Sequence, residues 1–390
     1  MTPTAHPEGT LASVIPPDKA DATTRVVLSV PGLGEKERTV FVDPYTGRVK
    51  GVLTTWFDET PLMTWFDDLH RNLHLGEVGR LYSELAASWL WVIVTGGLVL
   101  WLGRRRHYRG DASAWRALLP IRSARGVRRV RGRHAVTGLW LATGLLFLSA
   151  TGLTWSNHAG GNFQALLDAV RGQAPEVNTA LAAAPASGGN AHHGGGSTAT
   201  PATDPAHTDR VLNTARVAGL AGPVKITPPE EAGHAWSVVQ EDNLWPVRRD
   251  QVAIDPASGQ ITDRADWAEY PVLAKLSALG IQAHMGLLFG LANQLLLAAI
   301  AIGLLTLIFF GYRMWWQRRP TRDDRRGLLG KPPARGTWRT LPRPFLFLGI
   351  PLLVALGWAL PVFGVTLLAF LAIDLIVGFG QRRSGRTRTE

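Results

Sequence analysis

The chain contains no cysteine. That single absence removes a disulfide framework, a thiolate metal site, a thiolate-held iron–sulfur cluster and a cysteine nucleophile. Nucleotide signatures are missing as well: no G-x-G-x-x-G opens a helical pattern and no G-x-x-x-x-G-K-[ST] occurs. No G-x-S-x-G is present. Nor does the start of the chain read as a signal peptide, because Met1–Ala22 is polar and carries Pro3, Pro7, Pro16 and Pro17. The net charge of +11 would suit a nucleic-acid binder. Most of that charge flanks long charge-free runs, however, so we read it as a topology signal and expect no nucleic-acid partner.

Those runs are the dominant feature. Four are long enough to cross a bilayer, which takes about 20 apolar residues: Leu85–Gly103, Ala135–Ser156, Met285–Tyr312 and Pro344–Ile373. The last continues past Asp374 to Gly380, 37 residues in all, and Pro351, Gly357 and Pro361 interrupt it. We therefore expect spans at 85–103, 134–156 and 284–312, and a hairpin of two short spans over 344–380. Helices of a soluble core would show polar faces, and these do not.

Charge asymmetry gives an expected orientation. Arg104–Arg133 holds 11 arginines and one acid, Arg313–Arg343 ten basic and two acidic residues, and the tail 381–390 four arginines. Met1–Glu84 has 8 basic and 12 acidic residues, Asn157–Ala283 8 and 13. Under the positive-inside rule the loops 104–133 and 313–343 and the C-terminal tail are cytoplasmic, and 1–84 and 157–283 lie outside. The expectation is a multi-pass protein of the cytoplasmic (inner) membrane, in contact with lipid. An outside N-terminus with no signal peptide leads us to expect that a helix ahead of Met1 is missing.

Both outer segments carry the same hairpin pattern. In the first, Arg25–Val30 and Thr39–Val42 lead into Asp43-Pro-Tyr-Thr-Gly47. In the second, His234–Gln240 and Gln251–Ile254 lead into Asp255-Pro-Ala-Ser-Gly259. Proline presets φ and glycine supplies the positive-φ position, so we read an internal repeat. Residues 179–208, with His192, His193 and His207, have the composition of a solvated flexible linker.

Five of the eleven histidines sit at or beside expected span ends: His70, His74, His134, His158 and His284. His134 opens the second span and His284 the third. His70 and His74 lie on an amphipathic stretch ahead of the first, and His158 follows the second. His134 and His158 are about 36 Å apart along a helix, so they mark opposite faces. Ionisable groups at a membrane point to function, and neutral imidazole is an axial ligand for haem iron. Gly138, Gly144, Gly152, Gly286 and Gly290 are small enough to let a flat macrocycle approach helix backbones. The i, i+4 spacing of His70 and His74 would suit zinc, but no His-Glu-x-x-His accompanies it.

These residues together resemble the PepSY-associated transmembrane family, described as iron-regulated membrane proteins and including siderophore-iron reductases. The resemblance covers about Arg25 to Pro320. It rests on the two Asp-Pro-x-[Ser/Thr]-Gly turns, Leu69-His-Arg-Asn-Leu-His-Leu-Gly-Glu-Val-Gly-Arg80, His134-Ala-Val-Thr-Gly-Leu-Trp140, Gln282-Ala-His-Met-Gly-Leu-Leu-Phe-Gly290, and the span ends Trp101 with Arg104 and Trp315-Trp316 with Arg318-Arg319-Pro320. It implies a membrane α-helical bundle of about five transmembrane helices with two small extracytoplasmic α/β PepSY-like modules. It further implies one or two haem b groups, fed by an unidentified cytoplasmic electron donor and reducing ferric iron or a ferric chelate such as a siderophore outside. His70 and His284 would be the outer haem pair, with His74 and His158 as substitutes. His134 would be one ligand of an inner haem, its partner belonging to the family's first span, which we expect to be missing ahead of Met1. Two other readings stay open. One is a non-enzymatic membrane-anchored module that binds or regulates an extracytoplasmic partner. The other is an iron or chelate permease, although the only charge within an expected span is Asp374, near its inner end, and transporters carry polar groups at mid-membrane.

Overall fold

Alternating β-branched residues favour strands, and a five-residue Asp-Pro-x-[Ser/Thr]-Gly turn closes them into hairpins. The computed structural model describes residues 9–107, 119, 125–181, 205–317 and 342–386, and it uses this pattern twice. Strands β1 (Thr10–Ile15), β2 (Thr24–Ser29), β3 (Glu37–Val42) and β4 (Val49–Thr55) form one antiparallel meander. A second consists of β5 (Val224–Thr227), β6 (Trp236–Gln240), β7 (Gln251–Ile254) and β8 (Ile261–Ala265). In the β3–β4 turn, Asp43 N–H donates to Arg48 O (2.9 Å), Gly47 N–H to Asp43 O (2.9 Å) and Tyr45 N–H to Asp43 Oδ1 (3.0 Å). The β7–β8 turn repeats this with Asp255 to Gln260 O (2.9 Å), Gly259 to Asp255 O (2.8 Å) and Ala257 to Asp255 Oδ1 (2.9 Å). Gly47 and Gly259 sit at φ 67° and 73°, where a Cβ would be strained.

The meanders join edge to edge in the order β4-β3-β2-β1-β5-β6-β7-β8. At the seam, Val14 of β1 lies opposite Ile226 of β5. The two expected modules are thus the halves of one eight-stranded antiparallel sheet. Strand β1 corrects our reading of Met1–Ala22 as merely polar.

Helices α1 (Pro61–Asn72), α2 (Gly76–His107), α3 (Gly126–Leu153), α4 (His158–Ala169), α5 (Pro205–Val217), α6 (Val272–His284), α7 (Leu291–Gln317), α8 (Arg343–Ala359) and α9 (Pro361–Arg386) account for the rest, with two short 3-10 turns. The chain divides into two units. The sheet unit comprises Met1–His70, Arg171–Leu279 and Leu288–Gly290; the helical unit comprises Arg71–Val170, Gly280–Leu287 and Leu291–Glu390.

In the sheet unit, α5 supplies Val211 and Ala215 to a core with Val14, Val224, Ile226, Trp236, Val238, Val252 and Ile254. Lys225 on β5 pairs with Asp58 (2.9 Å), so an ion pair also ties the second meander to the first. Because β1 pairs with β5, both meanders must lie on one side of any membrane crossed between them. Two candidate spans, in α2 and α3, lie between the meanders, which satisfies that requirement.

Among the described residues, the helical unit has four segments long and apolar enough to cross a membrane: Gly76–Gly103, Gly126–Leu153, Leu291–Gln317 and Pro361–Phe379, with a shorter apolar stretch at Leu346–Ala359. No residue of α7 is buried, yet Leu295, Leu296, Ile302, Leu305 and Phe309 stand on its surface. Such an exterior fits hydrocarbon and not water. The protein is therefore a multi-pass membrane protein. Small residues set the helix contacts, as they do where lipid removes the hydrophobic drive. A Cβ on Gly144 would stand 2.8 Å from Ile300 Cδ1, one on Gly303 2.5 Å from Leu141 Cδ1, and one on Gly138 3.6 Å from Leu307 Cδ2. Gly138 and Gly144 thus receive side chains of α7 and do not leave the slot we expected.

Several expected boundaries move. Helix α2 starts at Gly76 and not Leu85, because a helix tolerates Arg80 and Glu84 where a charge-free run does not. Helix α3 starts at Gly126, inside the expected loop 104–133. The expected span at 284–312 begins only at Leu291, and His284 closes α6 instead of opening α7. The stretch 344–380 divides at Pro361, and one of its two helices is long enough to span. Of the expected linker 179–208, Ala180 bridges His234 and α5 begins at Pro205, so His207 is helical; His192 and His193 lie outside the described residues.

The Asp43 carboxylate is held down to about 2, first by its bond with the Lys50 ammonium and then by the N–H groups of Tyr45 and Thr46. A depressed folded-state value stabilises the fold above the ordinary value of 3.8 and loses that effect as pH falls towards 2. A carboxyl-carbon NMR titration of the full chain should give Asp43 a midpoint near 2, and Lys50→Met should raise it.

Candidate functional site

An imidazole among apolar helices must find an acceptor for its N–H, and that choice decides which nitrogen keeps the lone pair. His134 lies two turns into α3, half-buried, with Nδ1 3.2 Å from Leu307 O on α7. A carbonyl only accepts. Nδ1 therefore carries a proton, and in the neutral ring Nε2 keeps the lone pair.

His284 reaches the same state by another route. Its Nδ1 is 2.8 Å from Thr151 Oγ1, and the Thr151 hydroxyl is placed to donate to Phe147 O (2.9 Å) or Leu148 O (3.3 Å) on its own helix. With the hydroxyl hydrogen on that carbonyl, Oγ1 accepts from Nδ1–H, and the neutral ring then keeps its lone pair on Nε2. The ring packs over Gly152, where a Cβ would stand 3.2 Å from its Cε1. Local chain chemistry fixes the position. Helix α6 stops directly after His284 in a Schellman arrangement, with Gly286 at φ 78°, Leu287 N–H donating to Gln282 O (2.9 Å) and Gly286 N–H to Ala283 O (3.4 Å). Asn293, near the start of α7, donates Nδ2 to Ala283 O (2.8 Å) and ties the helix end down.

From 134 to 151 the α3 helix rises about 25 Å. The two imidazoles therefore mark separate places near opposite ends of α3 and cannot share one ligand.

His158 opens α4 with an exposed ring 3.2 Å from Glu84 Oε2. The same carboxylate, on α2 and with a side chain only 2% exposed, accepts His158 N–H (3.3 Å) and Ala159 N–H (2.9 Å). Glu84 thus caps α4 from a neighbouring helix, an anion at the positive end of the dipole. His74 lies beyond α1, which stops at Asn72. Leu73 and His74 turn at φ 55° and 54°, and Asn72 Oδ1 accepts His74 N–H (2.9 Å). The i, i+4 spacing with His70 is consequently not a helical one. Among the described residues, no group of three or more His, Asp or Glu is arranged to hold a metal ion. His70 is exposed on α1 and belongs to the sheet unit, whereas His284 belongs to the helical unit.

Thr151, Glu84 and Asn293 were not anticipated. For Glu84 a signal existed: with Ser88 it makes an i, i+4 polar pair, both buried, in an otherwise apolar helix.

A family model described as PepSY-associated TM region matches residues 1–318. That span takes in the sheet, α1 to α7 and both tautomer-fixed histidines. No curated protein matches the chain.

Two outcomes follow. Long-range ¹H–¹⁵N spectra of the solubilised protein should give both His134 and His284 as Nδ1–H tautomers, and Thr151→Val should disturb His284 alone. Glu84→Gln turns an amide NH₂ towards backbone donors and should cost about 1–3 kcal/mol, read as a lowered thermal midpoint in detergent.

Proposed function

This chain belongs to the PepSY-associated transmembrane family, and from that premise we propose that it carries electrons through membrane-bound haem to ferric iron or a ferric siderophore outside the cell. The observation that supports this best is the shared state of His134 and His284. Each has Nδ1 tied to an acceptor on a packed helix, which leaves the lone pair on Nε2, the form an axial ligand requires. Their separation along α3 suits one centre towards each membrane face. Close to His284, the Oε1 of Gln282 is buried without a hydrogen-bond partner among the described residues.

In this reading His284 and His70 hold an outer haem b and His134 contributes to an inner one, with His74 and His158 as substitutes for the outer pair. Bound haem supplies a one-electron centre. The chain's own groups do the rest. Leu307 O and Thr151 Oγ1 orient the rings and make them better donors, and Gly152 leaves room for the Cε1 edge of the His284 ring. By the positive-inside rule the Arg-rich segments face the cytoplasm, where the donor docks, and the sheet faces outwards, where the chelate arrives.

A reduced-minus-oxidised visible spectrum of detergent-purified protein, with haem-to-protein stoichiometry, tests this. Two b-type centres support a full relay, one supports the outer site alone, and none after haem supplementation favours the regulatory module. His284→Ala and His70→Ala should each remove one haem, while His207→Ala leaves the content unchanged; full retention in both outer variants would sink the assignment. Thr151→Val should weaken haem affinity roughly 10–100-fold without abolishing the fold.

A further inference from the structure

Helix α1 is amphipathic, but its faces are the reverse of those of a helix on a water-soluble protein. Its inward positions are polar: Thr64 is buried, and Asp68, Arg71 and Asn72 are half-buried. Thr64 N–H donates to Thr60 O (2.9 Å), and Asp68 pairs with Lys36 beside β3 (3.0 Å). Its exposed positions include Leu62, Met63, Trp65, Phe66 and Leu69, each between 37% and 66% exposed, with Asp67 and His70 exposed beside them. The apolar series continues along the chain through Leu73 and Leu75, both exposed, to Gly76, where the α2 span begins. Three linking residues reach at most about 10 Å, so the end of α1 cannot lie far from the end of that span.

A second exposed apolar patch lies on the same unit. The β6–β7 loop presents Leu244 at 61% exposed and Trp245 at 82%. Its Asn243 O accepts the N–H of Phe289 (3.1 Å), and Phe289 precedes the α7 span by two residues. The loop tip is thereby tethered at the start of a second span.

We propose that the outward face of α1 and the Leu244–Trp245 loop tip bind the headgroup–acyl boundary of the bilayer that α2 and α7 cross. Lipid is the occupant because both patches are joined by a few residues to candidate spans and continue their apolar surface. A helix with one apolar face, and Trp at an exposed tip, are what the interfacial zone takes up. The sheet unit is then fastened to the membrane surface as well as tethered to it. This does not depend on haem.

The absence of native cysteine gives a clean background for labelling. Single variants Leu62→Cys, Phe66→Cys, Leu69→Cys and Trp245→Cys of the full chain, spin-labelled in phosphatidylcholine–phosphatidylglycerol nanodiscs, would be compared with Tyr45→Cys and Val217→Cys. Those two controls are highly exposed on the same unit, at the β3–β4 turn and the end of α5. The four labels should collide several-fold more with oxygen, relative to a water-soluble nickel chelate, than the controls do. Ratios equal to the controls would overturn the proposal, because the patches would then face water. Protection from both quenchers would overturn it too, in favour of a covering protein surface. Because the ratio is read only from variants that retain the native thermal midpoint, misfolding cannot mimic any of these outcomes.

Discussion

Hydrocarbon offers no hydrogen-bond acceptor, and the helical unit is arranged around that constraint. Its hydroxyls return to backbone: Thr95 to Trp91 O, Thr306 to Ile302 O, Thr366 to Val362 O, and Ser149 across to Ala87 O. The histidines obey the same rule. His134 spends its proton on Leu307 O, and His284 spends its own on a threonine whose hydroxyl is already committed. What looks like a catalytic preparation, one protonated and one basic nitrogen in each ring, is thus the form that a dry environment imposes on any buried imidazole facing a carbonyl or a committed hydroxyl. Function, on the reading proposed above, draws on the Nε2 side of each ring.

The parts of this structure legible in sequence are those written in local patterns. The spans appear as charge-free runs, and both hairpins appear in five-residue turns whose proline and glycine have single conformational meanings. Long-range pairing was not legible. Strand β1 is short, with its apolar residues crowded at Val14 and Ile15, and nothing in residues 10–15 names a partner some two hundred positions away. The site was half legible for a similar reason. His134 and His284 stand out as ionisable groups beside apolar runs, but Thr151 is one hydroxyl among many in such helices, and its importance comes from a packing contact. Glu84 was set aside by the very criterion that found the span, since a charge ended the run there. His284 was misplaced by the same logic: apolarity continues smoothly through Met285–Gly290, whereas the backbone breaks at the positive φ of Gly286.

The glycines show how one residue type serves two purposes. Gly138, Gly144 and Gly303 let α3 and α7 interlock and are filled by neighbouring side chains. Gly152 is filled by an imidazole, so helix packing and ring placement are the same event at that position. A change in the α3–α6 spacing would therefore register at His284 on α6 and at Gly280, which lies against Thr151.

The seam between β1 and β5 has a consequence for biogenesis. Its two strands are separated in the chain by both α2 and α3, so neither meander can complete its sheet until that helical pair has been threaded through the bilayer. Until then β1 and β5 are open edges, the kind of surface that recruits foreign strands, and the connection to be closed is long enough to make closure slow. A chain whose α2 and α3 failed to insert as a pair would leave its meanders on opposite sides of the membrane, unable to meet. Completion of the sheet thus depends on the correct insertion of α2 and α3 as a pair.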